Sequence, residues 1–159
     1  MSSSTAPGSR RATLFVRSDL PALSQKRCTA IERELQELVC RGVLDDVDTV
    51  EWEKRVPLQG SGNGPERDLY NEFAEWAREA GVCLAPFFDT RLRYSSTTGE
   101  KRRELVMPAV CLAVYESGDL VQVAPFADRG RTESVEECIA ELAETGALPD
   151  TYSTTVSTV

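Results

Sequence analysis

Residues 103–125 constrain this chain more than any other stretch, because they hold two apolar runs separated by only a few turn-forming residues. Met107-Pro108 leads into the run 109–115, Ser117, Gly118 and Asp119 supply the turn, and 120–126 returns as a second extended segment. A run that is apolar at successive positions must be covered on both faces, which predicts an interior strand. Ser134 and Glu137 then stand at capping-box spacing, and Val135, Cys138, Ile139 and Leu142 recur on one face of a helix. Strand, turn, strand and capped helix form the closing part of an open α/β sheet.

The start of the chain supplies its counterpart. Residues 12–16, Ala-Thr-Leu-Phe-Val, are a short apolar run ending in polar Arg17, Ser18 and Asp19, as a buried parallel strand ends. These two apolar runs are expected side by side in one mixed sheet, with the first and third helices sharing a face. The first helix is predicted over 24–41 with Cys28, Ile31, Leu35, Leu38 and Val39 on one side, stopped by Gly42. Over 50–56, Val50, Trp52 and Val56 alternate with Glu51, Glu53 and Arg55, the pattern of one half-exposed strand near a sheet edge. Residues 59–64 (Gln-Gly-Ser-Gly-Asn-Gly) read as a loop, and Pro65 opens a second helix presenting Leu69, Phe73, Trp76, Ala77 and Ala80 before Gly81. Residues 90–94 and 101–105 flank a turn at 95–99 and predict an inserted hairpin. The order is β-α-β-α, hairpin, β-β-α. One domain over 11–146 is expected, with a disordered lead at 1–10 and a flexible tail at 147–159.

That order resembles the thioredoxin-like topology, and the resemblance implies a cis proline at Pro108. Proteins of that kind carry a reactive cysteine where the first strand meets the first helix, and here the junction 17–24 reads Arg-Ser-Asp-Leu-Pro-Ala-Leu-Ser. A second resemblance lies in wording. The phrases 14–19 (Leu-Phe-Val-Arg-Ser-Asp), 86–91 (Pro-Phe-Phe-Asp-Thr-Arg), 95–100, 104–108 (Glu-Leu-Val-Met-Pro) and 121–125 (Val-Gln-Val-Ala-Pro) are similar to a family of small haloarchaeal helix-turn-helix domain proteins. It implies DNA binding and transcription-linked regulation. Under a winged helix-turn-helix alternative for the fold, the second helix is the recognition element and the hairpin the wing. That helix carries Glu66, Asp68, Glu72, Glu75 and Glu79 against only Arg67 and Arg78, a poor surface to bring toward phosphate.

Composition narrows the chemistry. Twenty-six acidic residues against 18 basic ones give a net charge of −8, and only Lys26, Lys54 and Lys101 are lysines. An acidic, lysine-poor chain resembles proteins of salt-loving archaea, in which acidity serves solubility. Charge steering is weak there, because the Debye length falls to roughly 3 Å at 1 M salt. No 18-residue apolar run and no signal-peptide core occur, and a cytoplasmic protein is expected. The chain has no histidine and five dispersed cysteines, a spacing that favours neither a zinc site nor a disulfide framework. Four of the five cysteines fall on apolar faces of predicted elements, and buried free thiols are expected. Cys111 lies in the predicted central strand, where Cys28 on the first helix could approach it from one side, and a buried thiol there is expected to be inert.

The candidate binding residues are therefore Arg91, Arg93, Tyr94, Lys101, Arg102 and Arg103, a basic tongue on an acidic chain that suits DNA or an acidic protein partner. Ser18 has no histidine to activate it, and Asp19 and Asp89 form a carboxylate pair only if the fold joins them. No catalytic residue, cofactor or metal ligand is expected. The readings that follow are a non-enzymatic regulator, a thioredoxin-fold adaptor binding a protein without DNA contact, and a single-cysteine redox sensor.

Overall fold

The computed structural model describes residues 9–57, 65–94 and 96–145. Twelve elements follow in chain order: β1 (Arg10–Arg17), α1 (Ala22–Cys40), β2 (Asp46–Trp52), β3 (Arg55–Pro57), α2 (Pro65–Ala80), β4 (Asp89–Tyr94), β5 (Lys101–Val106), β6 (Val110–Glu116), β7 (Asp119–Ala124), β8 (Phe126–Asp128), β9 (Arg131–Glu133) and α3 (Val135–Thr145). The main sheet has the order β2-β1-β6-β7, a second sheet has the order β3-β5-β4, and β8 pairs with β9. β1 runs parallel to β2 and antiparallel to β6, which in turn is antiparallel to β7. The two most apolar runs are thus neighbours.

Pleating divides the core. Ala12, Leu14, Val110, Leu112 and Val114 point to the side where α1 supplies Ile31, Leu35 and Leu38, and α3 supplies Val135, Cys138, Ile139 and Leu142. Phe15, Cys111, Ala113 and Val123 point the other way, onto Phe73, Trp76, Ala77 and Ala80 of α2 and onto Phe88, Leu105 and Met107. Cys28 packs against the first cluster and Cys111 belongs to the second, which keeps the two thiols on opposite faces of the sheet.

Local signals fix several boundaries. Gly42 takes φ +81°, its N–H reaches Val39 O at 3.0 Å and the Val43 N–H reaches Leu38 O at 2.9 Å, closing α1 with a left-handed residue. Ser117 and Gly118 both have positive φ, 54° and 89°, the sense of twist that a tight hairpin between β6 and β7 needs. The Ser134 hydroxyl accepts from Glu137 N–H at 3.0 Å, and the Glu137 carboxylate accepts from Ser134 N–H at 2.8 Å. The capping box forms as its spacing requires.

Tertiary packing overrides sequence pattern at several places. Residues 50–56 are not one strand: the chain leaves the main sheet after Trp52 and joins the second at Arg55, and Val50 is left 42% exposed on the edge strand β2. Trp52 causes the break, since its ring stacks on Phe15 at 4.8 Å and its indole N–H donates to Pro108 O at 3.2 Å. The chain recrosses at Met107-Pro108, where the Met107 N–H is held by Lys54 O at 2.8 Å and Ala109 O accepts from Arg17 N–H at 3.0 Å. Pro108 is not cis; Ala85–Pro86 and Ala124–Pro125 are the cis bonds among the described residues. Its carbonyl is committed to Trp52 and its neighbours to extended pairing. Arg10 belongs to β1 rather than to a disordered lead, because Asp45 draws its N–H and Glu116 its side chain. Residues 1–8, the loop at 59–64 and the tail at 147–159 lie outside the described residues. The β8–β9 pair adds to the expected order: each strand has only three residues, too few to show a period, Phe126 turns into the core, and a bridge from Cys83 to Ala127 anchors the pair.

Candidate nucleic-acid interface

β4 and β5 form an antiparallel ribbon in the register Arg91↔Glu104, Leu92↔Arg103, Arg93↔Arg102 and Tyr94↔Lys101. All six sequence-predicted residues lie on it. The base of the ribbon is anchored, with Leu105 fully buried, Val56 of β3 paired to it, and Phe88 packed against Trp52, Tyr70 and Phe73. Beyond that base the strands are solvated, leaving Tyr94 64% and Leu92 61% exposed.

Several of the cations are compensated locally. Arg91 Nε lies 3.1 Å from Asp89 Oδ2 and Arg102 Nη2 lies 3.8 Å from Glu100 Oε1. Glu104 lies 3.9 Å from Arg55 of β3, a contact that ties the ribbon to the second sheet. Lys101 Nζ sits 5.9 Å from the centroid of the Tyr94 ring, a cation–π approach worth about 0.5–1 kcal/mol at an exposed site. Five cations against Asp89, Glu100 and Glu104 leave the ribbon positive on a chain of net charge −8. Leu92 was missed at the sequence level. An apolar residue between two arginines of an exposed strand was the available signal.

The other basic residues of the first strand do not extend this patch. Arg10 is bound to Glu116 at 2.7 Å, Arg11 to Asp46 at 3.1 Å, and Arg17 Nε stands 3.4 Å from Asp19 while Arg17 Nη1 reaches Met107 O at 3.5 Å. Asp19 and Asp89 thus each face an arginine of their own segment. A cleft of about 350 Å³ opens beside Arg11, Thr13, Asp48 and Tyr115. There burial, followed by the Glu72 carboxylate, pushes the Tyr115 phenol up to about 12.

All five cysteines are free, and not all are buried. Cys111 and Cys138 are interior, Cys28 is half-buried, and Cys40 and Cys83 are exposed. Cys40 ends α1 and Cys83 follows α2, positions where the apolar face runs out. Burial pushes the Cys138 thiol up to about 12 and Cys111 well above the ordinary thiol range, which suppresses the reactive thiolate. Among the described residues no three Cys, Asp or Glu side chains are grouped to hold a metal ion, and no helix is long and apolar enough to cross a membrane.

Each helix is separated from the next by strands, and among the described residues no two are joined directly by a turn. The apolar face of α2 is spent on the sheet, leaving its carboxylates toward solvent. A family model described as a helix-turn-helix domain nevertheless matches residues 4–147. No curated protein and no solved structure matches the chain significantly.

Proposed function

We propose, from the premise that the chain belongs to the helix-turn-helix domain family, that it is a non-enzymatic, DNA-associated regulator of transcription whose contact element is the β4–β5 ribbon and not a helix. The observation that carries this reading is the clustering of Arg91, Arg93, Lys101, Arg102 and Arg103 on one anchored ribbon of an acidic chain. Phosphate neutralisation needs cations presented together, and α2 offers mostly carboxylates. The sheet order β2-β1-β6-β7, with α1 and α3 on one face and α2 on the other, supports a thioredoxin-like scaffold from which the ribbon is inserted. The acid-rich, lysine-poor composition supports a cytoplasmic protein of a salt-loving archaeon.

The test is duplex binding as a function of salt, for the wild type and for a variant with all five cations replaced by Gln. The log–log slope should fall by roughly 0.9 for each phosphate contact removed. Absence of duplex binding by the wild type, or an unchanged slope in the variant, moves the reading to its competitor, an adaptor that docks the ribbon on an acidic protein. A redox-sensor reading is disfavoured by the buried Cys111 thiol.

A further inference from the structure

We infer that the ribbon meets duplex DNA with only one of its two faces, the one bearing Leu92, Tyr94, Lys101 and Arg103, seated in the major groove. The inference rests on the DNA reading above and adds which surface makes the contact and to what form of nucleic acid.

Strand parity sorts the ribbon's charges. Arg91 is paired with Glu104 in register and Asp89 is two residues from Arg91, which puts both strand carboxylates on one face, at the parity that the Arg93↔Arg102 pair also takes. The opposite face takes Thr90, Leu92 and Tyr94 from β4 and Lys101, Arg103 and Leu105 from β5, with no acidic residue among them. A phosphate approaching the first face meets Glu104, and a concavity of about 490 Å³ at the ribbon's tip is lined by Glu100, Arg102 and Glu104 together with Tyr94. On the second face Lys101 and Arg103 stand beside exposed apolar surface, because Leu92 and Tyr94 are the most exposed large hydrophobic side chains of the ribbon.

The dimensions select the groove. Paired strands lie about 4.8 Å apart, and a ribbon with its side chains fills a groove about 12 Å wide but not one about 6 Å wide. A single-stranded partner is less suited: stacking of successive bases requires several aromatic platforms, whereas the ribbon's strands hold only Tyr94 and a cation already stands over its ring. In the major groove Lys101 and Arg103 have guanine acceptors within their chemistry, and Leu92 has the thymine methyl. Apolar and directional contacts of this kind persist in concentrated salt, where the phosphate attraction is screened.

The test compares two double variants that remove equal charge, Lys101→Gln/Arg103→Gln on the proposed face and Arg91→Gln/Arg102→Gln on the other. The probe is a random-sequence duplex pool and the same pool as single strands, at fixed salt. The first pair should weaken duplex binding by about 100-fold, with each lost base contact worth about tenfold, and the second by less than about threefold. Leu92→Ser and Tyr94→Ser, at exposed positions that leave the fold intact by circular dichroism, should each weaken it by about three- to tenfold while sparing any single-strand binding. Equal losses from the two pairs, wild-type behaviour of both serine variants, or equally tight single-strand binding overturns the face assignment while leaving DNA association standing. Failure of the wild type to bind either pool overturns both.

Discussion

Replacing Trp52 by Phe probes the joint on which the ribbon is mounted. Trp52 is 2% exposed, stacks on Phe15 at 4.8 Å, meets Phe88 edge-on at 5.9 Å, and donates its indole N–H to Pro108 O at 3.2 Å. Phenylalanine keeps a ring in the stack and deletes the donor. A carbonyl left without its partner costs about 1–3 kcal/mol, and Pro108 is only part-buried, so water can replace some of the bond and the lower half of that range applies. The smaller ring adds a cavity cost of about 1 kcal/mol, for a total of about 2–3 kcal/mol. Trp52→Ala forfeits the stack as well and should cost about 4–5 kcal/mol, a large part of the roughly 5–15 kcal/mol that stabilises a domain. At about 2–4 °C per kcal/mol for a chain of this size, the Phe variant should melt about 4–12 °C below the wild type. The assay is urea unfolding with a thermal melt, supplemented by hydrogen exchange at Met107, whose N–H is held by Lys54 O. If the Phe variant stays within about 0.5 kcal/mol of the wild type and the Met107 amide keeps its protection, the indole does not hold the crossing between the two sheets.

Three further expectations follow from single sites. Under native conditions a thiol reagent should modify Cys40 and Cys83 quickly and leave Cys111 and Cys138 until unfolding, with Cys40→Ser and Cys83→Ser within about 0.5 kcal/mol of wild type; rapid labelling of Cys111 would reverse its burial. Burial, with Glu141 and Glu137 nearby and Arg131 opposing, raises Glu133 from 4.5 to about 6. A carboxyl whose folded pKa is raised contributes stability below its unfolded pKa and loses that contribution as pH rises through the folded value, so wild-type stability should decline between about pH 4.5 and 6 and Glu133→Gln should flatten that decline in urea midpoints. Ser134→Ala deletes the cap accepted from Glu137 N–H and should cost about 1 kcal/mol, with a melting temperature equal to wild type counting against the capping box.

Features that depend on neighbours a few residues apart are legible in the chain before it folds. The period of apolar side chains places α1, α2 and α3, Ser134 and Glu137 cap α3, Ser117 and Gly118 turn β6 into β7, and the composition of 90–103 marks the basic ribbon. These signals are short-range torsional and hydrogen-bonding preferences, and a chain carries them before it folds. Features that depend on distant partners emerge only once the sheets and helices pack. Val50, Trp52 and Val56 alternate without a break in sequence, yet the packing of Trp52 on Phe15 and its bond to Pro108 divide them between two sheets. Cys40 and Cys138 look alike as helical thiols, and only the position of the sheet relative to each helix exposes one and buries the other. The ribbon's cations were legible as a cluster but their partition was not. A one-residue change in the β4–β5 register would turn every side chain of one strand to the opposite face, and that register is set by how Val56 and Leu105 are buried at the ribbon's base.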